Sequence, residues 1–257
     1  MRILVIGDAM QDEYLHGSST RLSPEAPVPI VAVQRTEHRA GGAANVAANI
    51  EAMGVPVTRL FGAGEPIRKL RLLSGRQHVA RIDYDHPQPP ILPDDAFLEA
   101  LALCSLVVAV DYGKGSLAGI AALIRAAGDI PVLIDPKGHD WERYRGAALV
   151  KPNRDEMLQG DARQIMATYG IGAILLTQAA EGMTLYTRTE TLHQPSENAA
   201  PVDVSGAGEA VLAAYAAALA RGYSDAEALP IASRAADLAI SRFGTVVLTA
   251  EEVFGTR

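Results

Sequence analysis

Short apolar runs alternate along the chain with longer, alanine-rich segments of helical pattern. The apolar runs are nearly continuous, which is typical of parallel strands buried on both faces. Five such strands are predicted, at 3–7, 105–110, 131–135, 147–150 and 173–177. Helices are predicted at about 42–53, 94–103, 116–127, 154–169, 207–221, 225–242 and 250–253. This order predicts an α/β fold in which a mostly parallel central sheet carries helices on both faces.

Two segments have a different pattern, in which apolar and polar residues alternate. They are "VPIVAVQRTEHRAGG" at 28–42 and "PIRKLRLLSGRQHVARIDYD" at 66–85. Alternation of this kind is typical of exposed or half-buried antiparallel strands. We therefore expect a small β flap, or lid, built from about 12–40 and 65–86, on a single domain that spans 1–257.

Composition limits the partners and the compartment. The chain has 257 residues, 49% of them apolar, and a net charge of −7, which argues against nucleic acid or an acidic membrane as the main partner. The one cysteine, Cys104, lies in an apolar run and is predicted to be buried in a protein of a reducing compartment. The first apolar run breaks at Gly7, before it reaches the length of a signal sequence, and no run reaches the roughly 20 residues of a membrane span. We expect a cytoplasmic protein.

Polar residues gather at or just after the carboxyl ends of the predicted strands. The segments concerned are "GDAMQD", "DYGKG", "DPKG", "KPNRDE" and "TQAAEGM". In parallel α/β sheets ligands bind at this edge, so we expect one binding rim. Asp8 and Asp12, which follow the first strand, either cap turns or accept hydrogen bonds from polyol hydroxyls.

The segment "VDVSGAGEAV" at 202–211 places a glycine-rich turn directly before a helix. The unpaired N–H groups and the dipole at such a helix start favour an anion. Glu209 lies in the first helical turn. It either complements the helix dipole or accepts a proton from a hydroxyl that attacks a phosphoryl group held by the N–H groups.

Three further patterns each allow a structural and a ligand-binding interpretation. The cations Lys69, Arg71, Arg76 and Arg81 form either a solvated face or, where a strand brings Lys69 and Arg71 to one side, a site for an anion such as a phosphate ester. In "RAGGAANVAANI", Asn45 and its small neighbours suit either tight helix packing or contact with sugar hydroxyls. In "KPNRDEM", Asn153 and Glu156 form either a helix cap or water-mediated ligands of Mg²⁺.

Several common sites are absent from the sequence. There is no His/Cys cluster with zinc spacing, no GxxxxGK[ST] loop and no GxGxxG turn. These absences exclude a Walker-type site, the protein-kinase pattern and a standard dinucleotide site.

Taken in order, these segments resemble the ribokinase (PfkB) family of carbohydrate kinases. "GGAANVAANI" resembles the first family signature and "DVSGAGEAVLAAYA" the second. "RLSPEAPVPIV", "DYGKG", "DPKG", "KPNRDEM" and "EGMTLY" are similar to the heptose 7-phosphate kinases of lipopolysaccharide precursor synthesis. The resemblance implies a ribokinase-like fold, ATP and Mg²⁺ as cofactors, transfer of the γ-phosphoryl group to a sugar hydroxyl, and a possible homodimer through the flap.

The resemblance also assigns roles to residues at the matching positions. It implies that the sugar and its phosphate bind Asp12, Gly41, Gly42, Asn45, Lys69 and Arg71. It implies that the nucleotide binds near Asn153, Glu156, Thr177, Glu181, Gly182 and Met183, with Glu156 reaching Mg²⁺ through water. It implies an anion hole at Gly206, Ala207 and Gly208, with Glu209 as the catalytic base.

The chain departs from the family pattern in two ways. Glu209 stands where the family usually has Asp; the extra methylene moves the carboxylate by about 1.5 Å, and a misplacement of about 1 Å can cost roughly 100-fold in rate. The chain is also shorter than a typical relative after residue 61 and after residue 157. Two functions follow: a kinase that converts heptose 7-phosphate to the 1,7-bisphosphate, or an impaired relative that binds sugar phosphate or nucleotide in a regulatory or structural role.

Overall fold

The computed structural model describes residues 1–75, 77–158, 160–198 and 200–255. Arg76, one of the four clustered cations, lies outside the described residues. The helices are α1 (Ala43–Ala52), α2 (Asp95–Ala102), α3 (Ile120–Ala127), α4 (Arg154–Met157), α5 (Ala162–Tyr169), α6 (Ala207–Ala220), α7 (Asp225–Ile240) and α8 (Ala250–Phe254). Short 3₁₀ helices occupy Trp141–Tyr144 and Ala179–Glu181. Among the helices described, none has the length and apolar character needed to cross a membrane.

The central sheet has eight strands and confirms the predicted α/β class. Its strands are β1 (Ile3–Gly7), β4 (Val57–Phe61), β7 (Leu106–Val110), β8 (Val132–Asp135), β9 (Leu149–Val150), β10 (Ala173–Thr177), β11 (Met183–Tyr186) and β12 (Thr191–Gln194). Their order is β12-β11-β10-β9-β8-β7-β1-β4. The six strands from β10 to β4 are parallel, and β11 and β12 add to the β10 edge as antiparallel strands.

Two hydrophobic clusters cover the two faces of this sheet. Along β1, Ile3 and Val5 point into the cluster formed with α1, α6 and α7, whereas Leu4 and Ile6 point into the cluster formed with α2, α3 and α5. Because both faces are covered, the strand needs apolar residues at every position, which explains its unbroken apolar run.

The flap is a separate four-stranded sheet in the order β3-β2-β5-β6. It consists of β2 (Ala9–Leu22), β3 (Pro29–Gly42), β5 (Ile67–Ser74) and β6 (Gln77–Tyr84). The expected alternation is present, because Met10, Asp12 and Tyr14 are buried while the residues between them are partly exposed. The interpretation of Asp12 as a residue of a turn is wrong, since it lies in β2 and pairs with Arg39 of β3 and Lys69 of β5.

Helix boundaries differ from the prediction at two places. The helix predicted at 154–169 is two helices, since the chain ends α4 at Leu158 with φ of 49° and Asp161 caps α5 by accepting from the N–H groups of Arg163 and Gln164. The helix predicted at 116–127 begins only at Ile120, because Ser116 is bonded to Asp8 instead.

At residue 61, after which the chain is shorter than a typical relative, β4 ends at the edge of the central sheet. Residues 62–66 lead directly from β4 into β5 of the flap. Gln88 holds this connection, since its side-chain oxygen accepts from Gly64 N–H at 3.0 Å and its amide donates to the Glu65 carbonyl at 2.7 Å.

Candidate active site

The carboxylate of Glu209 lies in the first turn of α6 and is 4% exposed. Its Oε1 accepts hydrogen bonds from the Tyr112 hydroxyl at 2.6 Å and from the Gly42 N–H at 2.9 Å. Its Oε2 accepts from the Asn45 amide at 2.5 Å. The carboxylate therefore connects the start of α6 to Gly42 and Asn45, two of the residues to which the resemblance gives a role in binding the sugar.

The junction between β3 and α1 brings Asn45 and Gly42 to this carboxylate. Gly42 caps α1 with φ of 58°, a conformation that favours glycine. Gly41 has no room for a side chain, since a Cβ there would lie 2.6 Å from Asp12 Oδ2. The two glycines thus let the flap strand turn sharply into the helix while Asp12 lies against the backbone.

Burial is the main influence on the pKa values of Glu209 and Tyr112. It raises the pKa of Glu209 above its usual 4.5, and the nearby Asp135 carboxylate adds to that rise, while the three hydrogen bonds oppose it. Burial and the Glu209 charge also raise the pKa of Tyr112 well above its usual range, so this hydroxyl is protonated and donates. A carboxylate with a raised pKa is a better proton acceptor.

Two cations of the flap, Lys69 and Arg71, lie near Tyr112 and Asp12 respectively. The Lys69 ammonium lies 4.8 Å from the centre of the Tyr112 ring, and burial lowers the pKa of this lysine. Arg71 is paired with Asp12, and both side chains are buried. Lys69 therefore faces the Glu209 region, whereas part of the Arg71 guanidinium is bonded to Asp12.

A cavity of about 310 Å³ lies at the start of α6, which we call the phosphate cavity. Its lining includes four acids and two lysines: Asp111, Asp135, Glu156, Glu209, Lys137 and Lys151. Lys151 Nζ lies 2.9 Å from Asp135 Oδ1. Ala207 N–H donates to the Val204 carbonyl at 3.3 Å, whereas the described residues contain no acceptor for the Gly208 N–H.

A second cavity of about 640 Å³, which we call the nucleotide cavity, adjoins the first. The two share Asn153, Thr177, Val204 and Gly208. Apolar side chains line much of the larger one, namely Ala179, Ala180, Met183, Val211, Ala236 and Ile240. A flat heteroaromatic base suits such walls, with polar groups at the shared end.

The predicted nucleotide residues divide between these cavities. Gly182 and Met183 line the nucleotide cavity, Glu156 lines the phosphate cavity, and Asn153 and Thr177 line both. Glu181 lines neither, because its exposed carboxylate is paired with Arg154.

Asn153 and Glu156 form the capping box of α4. The Asn153 side chain accepts from the Glu156 N–H at 2.8 Å, and Glu156 Oε2 accepts from the Asn153 N–H at 3.0 Å. Burial raises the pKa of Glu156, and the Asp135 charge contributes to the rise. The structural interpretation is thus present in full, and the capping box uses one of the two carboxylate oxygens of Glu156, namely Oε2.

Four residues of the site were not singled out from the sequence: Asp111, Tyr112, Asp135 and Lys151. A signal was present, since each lies at or within two residues of the end of a parallel strand, on the rim where ligands were expected. Asp8 is also on this rim but has a structural role. Its oxygens accept from the N–H groups of Tyr112, Lys114 and Ser116 at 2.9, 3.0 and 3.1 Å, so they hold the 112–116 loop.

Together, the helix start, the acid in its first turn, the paired cavities and the flap define a kinase of the ribokinase fold class. Ribokinase of Thermotoga maritima superposes with a TM-score of 0.79 over 98% of this chain and 97% of that chain, at 17% sequence identity. The pfkB family carbohydrate kinase profile matches residues 95–251. The chain belongs to this family of carbohydrate kinases, which confirms the resemblance noted in the sequence.

Two relatives have higher sequence identity to this chain, and the first is named for a more specific function than the family as a whole. The D-beta-D-heptose 7-phosphate kinase of Bordetella bronchiseptica is 39% identical over 298 positions, which cover 99% of this chain and 95% of that protein. The bifunctional protein HldE of Stutzerimonas stutzeri is 38% identical, and this chain spans 62% of its length. Since 298 positions exceed the 257 residues of this chain, the first relative contains residues that this chain lacks, in agreement with the shortened segments.

Proposed function

We propose that this carbohydrate kinase transfers the γ-phosphoryl group of ATP to a hydroxyl of a phosphorylated sugar, with heptose 7-phosphate as the substrate and the 1,7-bisphosphate as the product. The observation that carries the proposal is the position of Glu209. Its carboxylate lies between the phosphate cavity, which continues into the nucleotide cavity at Gly208, and the sugar-side groups of Gly42 and Asn45.

Glu209 is the proton acceptor in this proposal. The attacking sugar hydroxyl gives its proton to a Glu209 oxygen while its own oxygen bonds to the γ-phosphorus. The bond between that phosphorus and the bridging oxygen breaks, and its electron pair leaves with ADP. The N–H groups at the start of α6 stabilise the charge on the transferred group, which is the main contribution that a protein makes to phosphoryl transfer.

The sugar end is proposed to lie between the flap and α1. Asn45, Gly42 and Asp12 offer donors and acceptors to hydroxyl groups, and Lys69 offers a cation to the phosphate ester. Identity to the Bordetella heptose 7-phosphate kinase over almost the whole chain supports this substrate.

The donor set of the phosphate cavity fits Mg²⁺. Asp135 and Glu156 are two of the four acids that line it, and the Asp135 charge contributes to the raised pKa of Glu156, so a cation near both would be favourable. Among the residues described, no group of three or more metal-ligating side chains exists. That arrangement suits Mg²⁺, which keeps several waters and takes one or two carboxylates together with substrate phosphates. The ion would supply charge neutralisation to the phosphates.

We also propose that two copies pair through the outer face of the flap. Leu70 and Ile82 are cross-strand partners on that face, and Ile82 is 47% exposed. In a pair of copies, these apolar side chains would be covered and would contribute to the contact. Light scattering should give twice the chain mass for the native protein and the chain mass for Ile82→Lys; an identical mass for both would contradict the pairing.

The compartment of this activity is proposed to be the cytoplasm. Cys104, the one cysteine of the chain, is a buried thiol. A chain without a disulfide suits a reducing compartment.

The test of the function is ADP formation with three candidate acceptors, heptose 7-phosphate, fructose 6-phosphate and ribose. The native chain should consume ATP with the heptose ester. Glu209→Ala should abolish turnover, because the proton acceptor is gone. Glu209→Asp should keep turnover or increase it, since Asp is the usual family base and its shorter side chain withdraws from Gly42 and Asn45.

Equal turnover in the native chain, Glu209→Ala and Glu209→Asp would contradict the assignment of Glu209 as the proton acceptor. Calorimetry separates an impaired relative from a kinase. A protein that binds ATP and heptose 7-phosphate with measurable affinity but forms no product would have the regulatory role instead.

A further inference from the structure

Lys151 stands apart from the other residues of the phosphate cavity, because it is a cation inside an otherwise acidic lining. It directly follows β9 and leads into the segment that caps α4. Its side chain is only 4% exposed, whereas the other lysine of the cavity, Lys137, is exposed. A lysine is rarely buried unless a partner or a ligand compensates its charge.

The protein supplies one partner of opposite charge. Asp135 Oδ1 lies 2.9 Å from Lys151 Nζ, and the Asp135 side chain is 14% exposed. An ammonium group has three donors. Among the described residues, Asp135 is the acid with which this ammonium forms an ion pair, and a group with three donors can bind a further anion beside it.

This ammonium lies at the start of α6. A Cβ placed on Gly208 would be 3.1 Å from Lys151 Nζ and 4.0 Å from Asp135 Oδ2. The ammonium therefore stands beside the residue at which the phosphate and nucleotide cavities meet. Any anion bound to the Gly208 N–H would also be within reach of Lys151.

We infer that Lys151 binds the phosphoryl group that is being transferred, opposite the N–H groups of α6, and that Asp135 positions it. This inference rests on the proposed function and adds a catalytic residue to it. Charge spreads over the oxygens of the phosphoryl group in the transition state, and a fixed cation in a partly dry cavity stabilises that charge without reorganisation. Pairing with Asp135 fixes the ammonium in place before the nucleotide binds.

The principal test compares the native chain with Lys151→Met, which keeps the length of the side chain and removes its charge. The value of kcat should fall about 100- to 1,000-fold, as it does when one donor to a developing anion is removed. The KM for the sugar should change little, because the interaction belongs to the transition state. Lys151→Arg should recover part of kcat, since it restores a cation.

A binding measurement tests the same inference without turnover. Calorimetry compares ADP with a non-hydrolysable ATP analogue, so that the difference in affinity reports contacts to the terminal phosphoryl group. In Lys151→Met the preference for the analogue should disappear while ADP affinity is retained. An equal loss for both nucleotides, or an unchanged preference, would overturn the inference.

Lys151→Met leaves the partly buried Asp135 without its ion-pair partner, so a second variant is needed to separate a loss of stability from a loss of phosphoryl binding. Lys151→Gln removes the charge of the lysine, leaves a polar side chain beside Asp135 and keeps Asp135 itself unchanged. It should lose the same analogue preference while its thermal unfolding stays near that of the native chain. Arg59→Met is the matched control, because it removes an exposed cation of β4 that is paired with Glu51 of α1. This variant should retain the native kcat and the native preference for the ATP analogue over ADP.

The failure of this inference differs from the failure of the proposed function. If the native chain forms no phosphorylated sugar, the proposed function fails and the calorimetric comparison still decides the role of Lys151. If the native chain is active and Lys151→Met keeps its kcat, the proposed function stands and the inference is overturned.

Discussion

Asn45 donates a hydrogen bond of 2.5 Å to Glu209, and this contact joins α1 to α6 across the candidate active site. The Gly42 N–H donates to the other carboxylate oxygen at 2.9 Å. Both donors belong to residues that the sequence assigned to the sugar. The longer side chain of Glu209 therefore reaches Gly42 and Asn45, so in the proposed function the base and the acceptor hydroxyl would meet at the same place.

Tyr112→Phe should move the acid limb of the pH profile to higher pH. The Tyr112 hydroxyl donates to Glu209 and so favours the ionised carboxylate, lowering its pKa against the effect of burial. Activity requires the ionised form, so it is lost as pH falls through the pKa of Glu209, which already lies above 4.5. Without the hydroxyl, that loss should begin at a higher pH. The measurement is kcat/KM against pH, which reports the free enzyme.

The control for this prediction is Tyr223→Phe, because that ring stacks on Phe254 far from the cavities. It should leave the profile unchanged. An acid limb that stays in place in Tyr112→Phe, or moves to lower pH, would show that the hydroxyl does not stabilise the carboxylate.

Much of the central sheet could be predicted because burial on both faces leaves an unbroken apolar run. β1, β7, β8 and β10 have such runs and were located within one residue. β12 was missed because "TLHQ" is short and alternates at an exposed edge. β2 lies mostly within the flap segment predicted at about 12–40, but its bounds were not located, because its long, polar sequence pairs with β3 and β5 rather than forming an apolar run.

Replacing Asp8 should destabilise the fold rather than act on the chemistry alone. Its buried carboxylate accepts from three N–H groups of the 112–116 loop and from the Ser116 hydroxyl. Asp8→Ala leaves those donors without a partner, so the free energy of unfolding should fall by about 3–5 kcal/mol. Urea unfolding measures the loss, and Asp8→Asn should lose less because it keeps one acceptor.

Asp85→Ala is the comparison for Asp8. Asp85 is exposed and paired with Lys114, and an exposed pair contributes about 0–1 kcal/mol. Equal losses in the two variants would mean that the Asp8 hydrogen bonds contribute no more than a surface ion pair.

Some residues of the candidate site could also be predicted from the sequence, but the signal was a local motif rather than an apolar run. Gly42, Asn45 and Glu209 were found because glycine-rich helix starts have a sequence signature, and the structure brings these three into contact. Whether they bind sugar and accept a proton stays a prediction. Lys151 was not singled out, because its burial depends on where Asp135 and Gly208 lie in three dimensions.

Glu252→Gln should lower stability near pH 7 and have no effect in acid. The Thr249 N–H and the Arg242 guanidinium bond to Glu252 and lower its pKa from 4.5 to about 2. A lowered pKa gives stability that is present above pH 4.5 and is lost as pH falls toward 2. Because Arg242 and Glu252 are 38% and 31% exposed, solvent screening reduces the expected loss to about 1 kcal/mol at pH 7.

Urea unfolding at pH 7, 4 and 3 measures this difference. Glu251→Gln, at the exposed neighbour, should change the free energy of unfolding by less than about 0.5 kcal/mol at each pH. The loss should become smaller from pH 7 to pH 3, and a loss in Glu252→Gln that is as large at pH 3 as at pH 7 would contradict the charge-based explanation.

Lys69→Met should weaken the binding of a phosphorylated sugar far more than that of the same sugar without its phosphate. A charge-assisted hydrogen bond is worth about 1.5–3 kcal/mol, so the KM for the ester should rise about 10- to 150-fold. Burial lowers the pKa of Lys69 below its usual 10.5, so the ammonium of the native chain loses its proton at a lower pH than an exposed lysine does. The KM of the native chain should therefore rise as the solution becomes alkaline, and that rise should be absent in Lys69→Met. Steady-state kinetics with both sugars measures these effects, with Arg59→Met as the charge-matched control; equal losses for the two sugars would show that Lys69 does not bind the phosphate.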